Sequence, residues 1–423
     1  MGVTGTLSES HSVFHDQGFE EIGMQFCASK IDITPATSKS LVGYGSAPRM
    51  SAGVRRSLEV NAILIDPAFV IISADALFMG RDFISRVRMK IPDNLYVLFV
   101  ASHTHFAPSL DGGKPGLGST DDGWLKQVAG MVADQILALA ASPAVAGRLS
   151  YGVETCIGSV YRRRRGFPKR KFPYFTWRVG LLPNHRRAIP RDLQILAIKD
   201  DHGKIGAVIW SWPCHPVAFV SVNEISSAFP GAVRDAIRHA TGDAALPVLF
   251  FPGFCGDIRP DITKSYLGFE VFKSPGELDV AAFEGAVADT ALKALRNAVT
   301  VQAGEARYRE MAVPLQSLGP SGDFDLGVTQ VNFGDVEITG VGAEVCSGHL
   351  EHTNFDRLEP RFFTGCVGPT FGYLPTDKQV AEGGYEVDEF MPFFSISGHW
   401  KPNIGFIVAQ LLRSRRGDAV QIR

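Results

Sequence analysis

The sequence predicts a layered α/β fold in which mixed β-sheets are flanked by helices. Three observations lead there. Apolar runs of strand length recur along the chain, several of them unbroken, as strands covered on both faces require. Stretches with apolar residues at helical spacing alternate with them. No Ser/Gly/Pro-rich linker interrupts the alternation and no internal repeat is present, so residues 26–423 read as a single domain.

Residues 1–25 are polar and acidic where a secretory signal has a basic start and an apolar run, and they read as a flexible leader. CASKIDITP (27–35) reads as a strand and GYGSAPRMSAG (43–53) as a long loop. LEVNAILID (58–66) and FVIISADAL (69–77) form a hairpin pattern around Asp-Pro-Ala. LYVLFVASHTH (95–105) is an unbroken apolar strand that empties into histidines. GWLKQVAGMVADQILALAAS (123–142) is the strongest helix signal. Further strands are expected over 148–161, 193–200, 204–216, 247–260 and 336–346, with helices over 230–241, 281–299 and the final GFIVAQLLRSRR.

Composition narrows the function classes. Forty-two basic and 44 acidic residues leave a formal charge of −2, so there is no global field to draw nucleic acid or an anionic membrane. Mean hydropathy is +0.06, and no apolar stretch is long enough to span a bilayer. The six cysteines are spread singly, without Cys-x-x-Cys, which suits reduced thiols in a cytoplasmic protein.

Polar groups gather at four expected strand ends: His103 and His105, His215, the Cys255–Arg259 turn, and Glu344. A catalytic zinc typically takes about three N or O ligands and keeps one position open, and His103, His215 and Glu344 supply such a set. In the 95–105 strand His103 and His105 point to one face and line a single cavity, one as ligand and the other as hydrogen-bond partner or acid. Histidines such as His185, His202 and His239 lie in polar segments and read as surface residues. In the basic run 162–171, Arg162 and Arg163 leave a strand directly and are the functional candidates, whereas Lys169, Arg170 and Lys171 read as solvated.

In chain order the sequence carries KIDITP (30–35), GYG (43–45), SADAL (73–77), ASHTHFAPS (101–109), PCHPVAF (213–219), SSAFPG (226–231), GDIRP (256–260), GVGAEV (340–345) and GYLPT…GGYE (372–386). On these motifs it resembles the catalytic domain of the neutral ceramidases. The resemblance implies that fold, with zinc held by His103, His215, Glu344 and Tyr373. It also implies that Tyr385 is a second active-site tyrosine, and that His105 and one of Arg162 or Arg163 contact the scissile amide or its oxyanion.

Three departures qualify it. Arg259 stands where the family carries a serine regarded as the nucleophile, and a guanidinium cannot serve as one. Ala228 stands where an acidic residue is usual. The chain ends without the family's immunoglobulin-like domain. The expectation is therefore a zinc-dependent hydrolase that cleaves a C–N amide, or less readily an ester, with metal-activated water. Its substrate is a small amide or acylated molecule that is not necessarily the family's N-acylsphingosine, and Arg259 is free to grip a carboxylate or phosphate on it. The alternatives are a non-catalytic metal- or anion-binding homologue and a cysteine-dependent amidohydrolase built on Cys255.

Overall fold

The structure, a computed structural model, describes residues 24–413 apart from 46, 48, 67, 167, 168, 172, 173 and 177, with backbone only for 169–171 and 174–176. The expected leader thus lies outside the described residues, except that Met24 and Gln25 already belong to the first strand. The side chains of Lys169, Arg170 and Lys171, and the end of the final helix, also lie outside them.

Eight strands build the large sheet: β1 (Met24–Asp32), β2 (Glu59–Ile65), β3 (Phe69–Ala74), β4 (Tyr96–Ala101), β5 (Val145–Thr155), β6 (Asp192–Lys199), β7 (Ile205–Trp212) and β8 (Val248–Pro252). They lie in the order β8-β7-β6-β5-β1-β2-β3-β4, and Val299–Val301 adds a short ninth strand beside β5. The outer pairs β7/β8 and β3/β4 are parallel and the pairs between them antiparallel. The β2/β3 hairpin forms as the sequence predicts, with Ile65 opposite Phe69.

A smaller sheet follows in the chain: β9 (Ala306–Pro314), β10 (Asp325–Phe333) and β11 (Val336–Val341) are antiparallel neighbours. Next along the chain, β12 (Glu344–Val345) precedes β13 (Arg361–Thr364), which lies parallel to β11, and β14 (Tyr373–Leu374) pairs parallel with β12.

Alternation along the large-sheet strands explains the layers, because successive side chains point to opposite faces. Ile63, Leu98, Ile209 and Leu249 pack with Val331, Phe333 and Ile338 of the smaller sheet. From the other face of the same strands, Val60, Leu64 and Phe99 pack with the helix Asp122–Ala141, while Trp210, Trp212 and Phe250 pack with the helices Ala228–Thr241 and Glu277–Arg296. A strand buried on both sides needs apolar residues at every position, hence the unbroken runs. The helix Asp122–Ala141 is capped by Asp121, whose carboxylate accepts from the Trp124 amide at 2.9 Å. Among the described residues no helix is long and apolar enough to cross a membrane.

The large sheet coils until its two sides meet. Ser73 of β3 donates its hydroxyl to the Phe250 carbonyl of β8 at 2.8 Å and accepts from the Phe250 amide at 3.2 Å. This closure brings the segment after β4 against the segment after β7.

Candidate metal centre

The strand expected to run to His105 stops at Ala101. The Ser102 amide still donates to the Ala74 carbonyl as the last rung of the β3/β4 ladder, and β3 itself ends at Ala74, so the ladder goes no further. His103 then adopts a left-handed backbone conformation (φ 63°), which costs a non-glycine residue roughly 1–3 kcal/mol and is typical of functional sites. His103 and His105 do come together, with ring centroids 4.9 Å apart, but a strained turn rather than strand alternation brings them there.

All three histidines are anchored in the same way. His103 Nδ1 lies 3.1 Å from the Leu77 carbonyl, His105 Nδ1 2.9 Å from that of Gly43, and His215 Nδ1 2.7 Å from that of Cys255. A carbonyl only accepts, so each Nδ1 carries the proton and each Nε2 keeps its lone pair. One ring nitrogen from each of the three falls within 4.8 Å of the others. Gly43 is needed for this: at φ 104° a Cβ there would stand 2.6 Å from His105 Nδ1.

Glu344 completes the cluster. Its Oε2 lies 3.1 Å from His103 Nε2 and 3.0 Å from His215 Nε2, and the Tyr373 hydroxyl is 3.5 Å from His215 Nε2. Burial works against the Glu344 charge, and its carboxyl falls well below the ordinary range only through positive charge and donated protons at the His103 and His215 positions. Two imidazole lone pairs directed at an ionised carboxylate repel one another unless a cation or proton lies among them. The Nε2 atoms of His103 and His105 are moreover buried without a hydrogen-bond partner. Separations of 3.0, 3.1 and 3.5 Å approach the ~3.3 Å edge of a tetrahedron with metal–ligand bonds of about 2.0 Å. The donor set therefore fits a divalent metal ion.

The flanking residues come from two further segments. Arg162 and Arg163 both grip Glu386, the first through Nε at 2.7 Å and the second through Nη1 at 2.5 Å. Their other contacts separate them. Arg162 lies 5.3 Å over the Tyr373 ring and 5.9 Å over that of Tyr385, whereas Arg163 turns away to the Gly383 carbonyl and Glu382. The rings of Tyr373 and Tyr385 sit 5.5 Å apart, edge to face. Arg259 lies in the short strand Ile258–Pro260, immediately after the carbonyl of Ile258, which also approaches His215 Nδ1 at 3.1 Å.

Burial bears on two further residues, one of them the nucleophile of an alternative reading. Cys255 is buried, and burial together with the Glu344 carboxylate pushes its thiol far up, which disfavours the thiolate that the cysteine-dependent alternative requires. His349 is buried rather than at the surface, with Nε2 3.0 Å from the Pro375 carbonyl and no contact with the centre. His185 is partly exposed and bridges Asp261 and Glu270. Ala228 opens its helix with φ 52° and is buried against Phe106 and Phe219.

Sequence reasoning missed Glu386, although it directly follows Tyr385 in the GGYE motif. It also missed the Leu77 and Gly43 carbonyls, because a backbone acceptor leaves no mark in residue type. Asp257 belongs with them: buried in the GDIRP turn, it accepts from the Ser347 amide at 2.8 Å and from Gln379 Nε2 at 2.7 Å, pinning the turn to its neighbours.

No family profile matches the sequence, and no match is found among the curated proteins. The fold, by contrast, has solved counterparts. The neutral ceramidase from Pseudomonas aeruginosa superposes with a TM-score of 0.70 at 15% identity, over 93% of this chain and 74% of that one. A ceramidase complexed with C2 superposes with a TM-score of 0.69 at 15% identity, over 92% and 74%. The chain therefore has a layered α/β fold like that of the neutral ceramidases.

Proposed function

We propose that this chain is a zinc-dependent hydrolase of a C–N amide bond in a small acylated substrate, with His103, His215, Glu344 and Tyr373 as the metal ligands. The observation that carries the reading is the convergence of imidazole lone pairs on the Glu344 carboxylate, each ring fixed from behind by a backbone carbonyl. That the two similar solved structures are named as ceramidases supports this reaction class.

Held by His103, His215, Glu344 and Tyr373, a zinc ion would supply Lewis acidity to a substrate carbonyl and to water, whose pKa can fall to about 7 in such a site. The surrounding residues do the rest. With Nδ1–H committed to Gly43, His105 Nε2 accepts a proton from the attacking water, and burial beside His103 and His215 keeps the ring neutral and ready to do so. Arg162, held by Glu386, keeps Nη2 free of partners and donates to the developing oxyanion. The Tyr385 hydroxyl, pushed to about 12 by burial and the Glu344 carboxylate, stays protonated at neutral pH and donates to the oxyanion or the departing nitrogen. Hydrolysis in this reading needs no serine or cysteine nucleophile.

Metal analysis of the purified chain together with a panel of N-acyl amines, ceramide and matched esters tests it. About one zinc per chain is expected, with amide turnover abolished by chelation or His103→Ala and retained in Cys255→Ala. A metal-free protein whose activity depends on Cys255 overturns it, and a fully loaded protein with no turnover on the panel favours the non-catalytic binding homologue.

A further inference from the structure

Arg259 is a charge without a counterion. In its short strand Ile258 and Pro260 are buried, while the Arg259 guanidinium lies 4.1 Å over the ring of Phe272. Among the described residues it forms no ion pair, and its Nε is buried with no partner. After burial, the groups that act on it are Arg162, Tyr44 and Cys214; no carboxylate is among them. The neighbouring carboxylates are already committed: Glu344 to the imidazoles, Glu386 to Arg162 and Arg163, and Asp261 and Glu270 to His185.

A second guanidinium repeats the pattern. Arg49, 4.7 Å over the Tyr44 ring, donates to the backbone carbonyls of Val222, Val42 and His105 and, among the described residues, to no acid. Tyr44 in turn stands 5.2 Å from the ring of His105, so both uncompensated arginines flank the metal centre. Arg162 is more than nine-tenths buried, and its Nη2 also lacks a partner. Desolvating a cation without a counterion costs several kcal/mol, so such a group is stable where a ligand brings the missing charge.

We propose that Arg259, in the field of Arg162 and Arg49, is an anion-binding subsite that takes a carboxylate or phosphate carried by the substrate close to its scissile amide. The class of substrate is then an anionic N-acyl compound, an acylated amino acid or an acylated aminoalkyl phosphate. The stack on Phe272 fixes the guanidinium plane, and a planar fork matches either oxyanion through two parallel N–H donors. This rests on the amide-hydrolase reading and narrows it.

Calorimetric titration of the full chain tests it with three sulfonamides that resist hydrolysis: N-octylsulfonylglycine, the O-phosphate of N-octylsulfonylethanolamine, and the uncharged N-octylsulfonylglycinamide. At least one anionic probe is expected to bind about tenfold or more tightly than the amide, as a charge-assisted pair supplies. Which anion wins separates the carboxylate from the phosphate source. Arg259→Gln is expected to abolish the preference and Arg259→Lys to restore part of it. Arg259→Met, which keeps the apolar contact with Phe272, serves if the glutamine variant does not fold. Equal binding of all three probes, or a preference unchanged in both neutral variants, overturns the subsite. A chain that prefers the anionic probes yet hydrolyses none of the matching carboxamides sinks amide hydrolysis and leaves the subsite standing. Hydrolysis of N-octanoylethanolamine and N-octanoylglycine alike, without anion preference, does the reverse.

Discussion

Glu344 and Tyr373 face each other as register partners in a two-residue parallel ladder, 29 positions apart in the chain. The ladder sets both oxygens beside His215, and the Glu344 amide is itself tied to the Gly372 carbonyl at 2.7 Å. Gly256 lets the opposite turn close on the pair, since a Cβ there would meet the Glu344 carbonyl oxygen at 2.7 Å.

Replacing a proposed ligand in that ladder should cost metal before it costs fold. Glu344→Gln is expected to lower zinc affinity by more than the roughly 10–100-fold typical of outer-shell changes, and Tyr373→Phe by less than Glu344→Gln, because the hydroxyl is the more distant donor. Competition with a chelator of known affinity, read on protein whose circular dichroism is unchanged, checks the order. Retention of wild-type affinity in Glu344→Gln removes the carboxylate from the ligand set.

Gly43→Ala strains the loop and crowds His105 at once. The backbone at φ 104° should cost about 1–3 kcal/mol of stability, and displacement of the imidazole should reduce turnover while leaving bound zinc near its wild-type level, since His105 is outside the proposed ligand set. Parallel metal analysis and kinetics distinguish this from a general loss of structure. Loss of the metal in step with activity would show that His105 is itself a ligand.

Glu386 holds two buried guanidinium groups, and removing its charge leaves both without their main counterion. Glu386→Gln is expected to destabilise the fold by about 3–5 kcal/mol in denaturant unfolding, as breaking a buried pair does. Arg163→Met should lower stability with little direct effect on the chemistry, and Arg162→Met should lower kcat, because Arg162 alone lies over Tyr373 and Tyr385. Equal kinetic losses in the two variants contradict this division of roles.

The pH dependence of stability has a clear contributor in Glu59. Burial pulls the Glu59 carboxyl upward, but the two-pronged grip of Arg238 at 2.8 Å, with Arg234 and Lys30 nearby, wins and holds it at about 2. An unfolded glutamate titrates near about 4.3, so the folded value is depressed; the contribution is fully present above about 4.3 and is lost as pH falls through about 2. The stability gap between wild type and Glu59→Gln should therefore narrow by about 1–2 kcal/mol between pH 6 and pH 3. Denaturant midpoints at the two pH values measure it, and a constant gap excludes Glu59 as the acid-sensitive group.

Much of this architecture is legible in the residue order. The β2/β3 hairpin, the unbroken apolar strands and the Asp121-capped helix follow from turn chemistry, periodicity and capping, which are local. His103, His215 and Glu344 could be nominated because each follows an apolar strand. Their meeting could not be derived that way, and neither could the end of β4 at Ala101, where the neighbouring β3 gives out at Ala74 and His103 turns into the left-handed region.

What the sequence determined by itself is therefore the set of elements and the donors carried at their ends, since hydrophobic period and residue type act over a few positions. Tertiary structure alone decided which donors converge and in which protonation state. The coiling of the large sheet brings His103 to His215, carbonyls of Leu77, Gly43 and Cys255 fix the tautomers, and Glu386 separates the roles of Arg162 and Arg163. It also decided the standing of Arg259. A charge's energy depends on every counterion within reach and on the water excluded around it, and neither can be read from its neighbours in the chain.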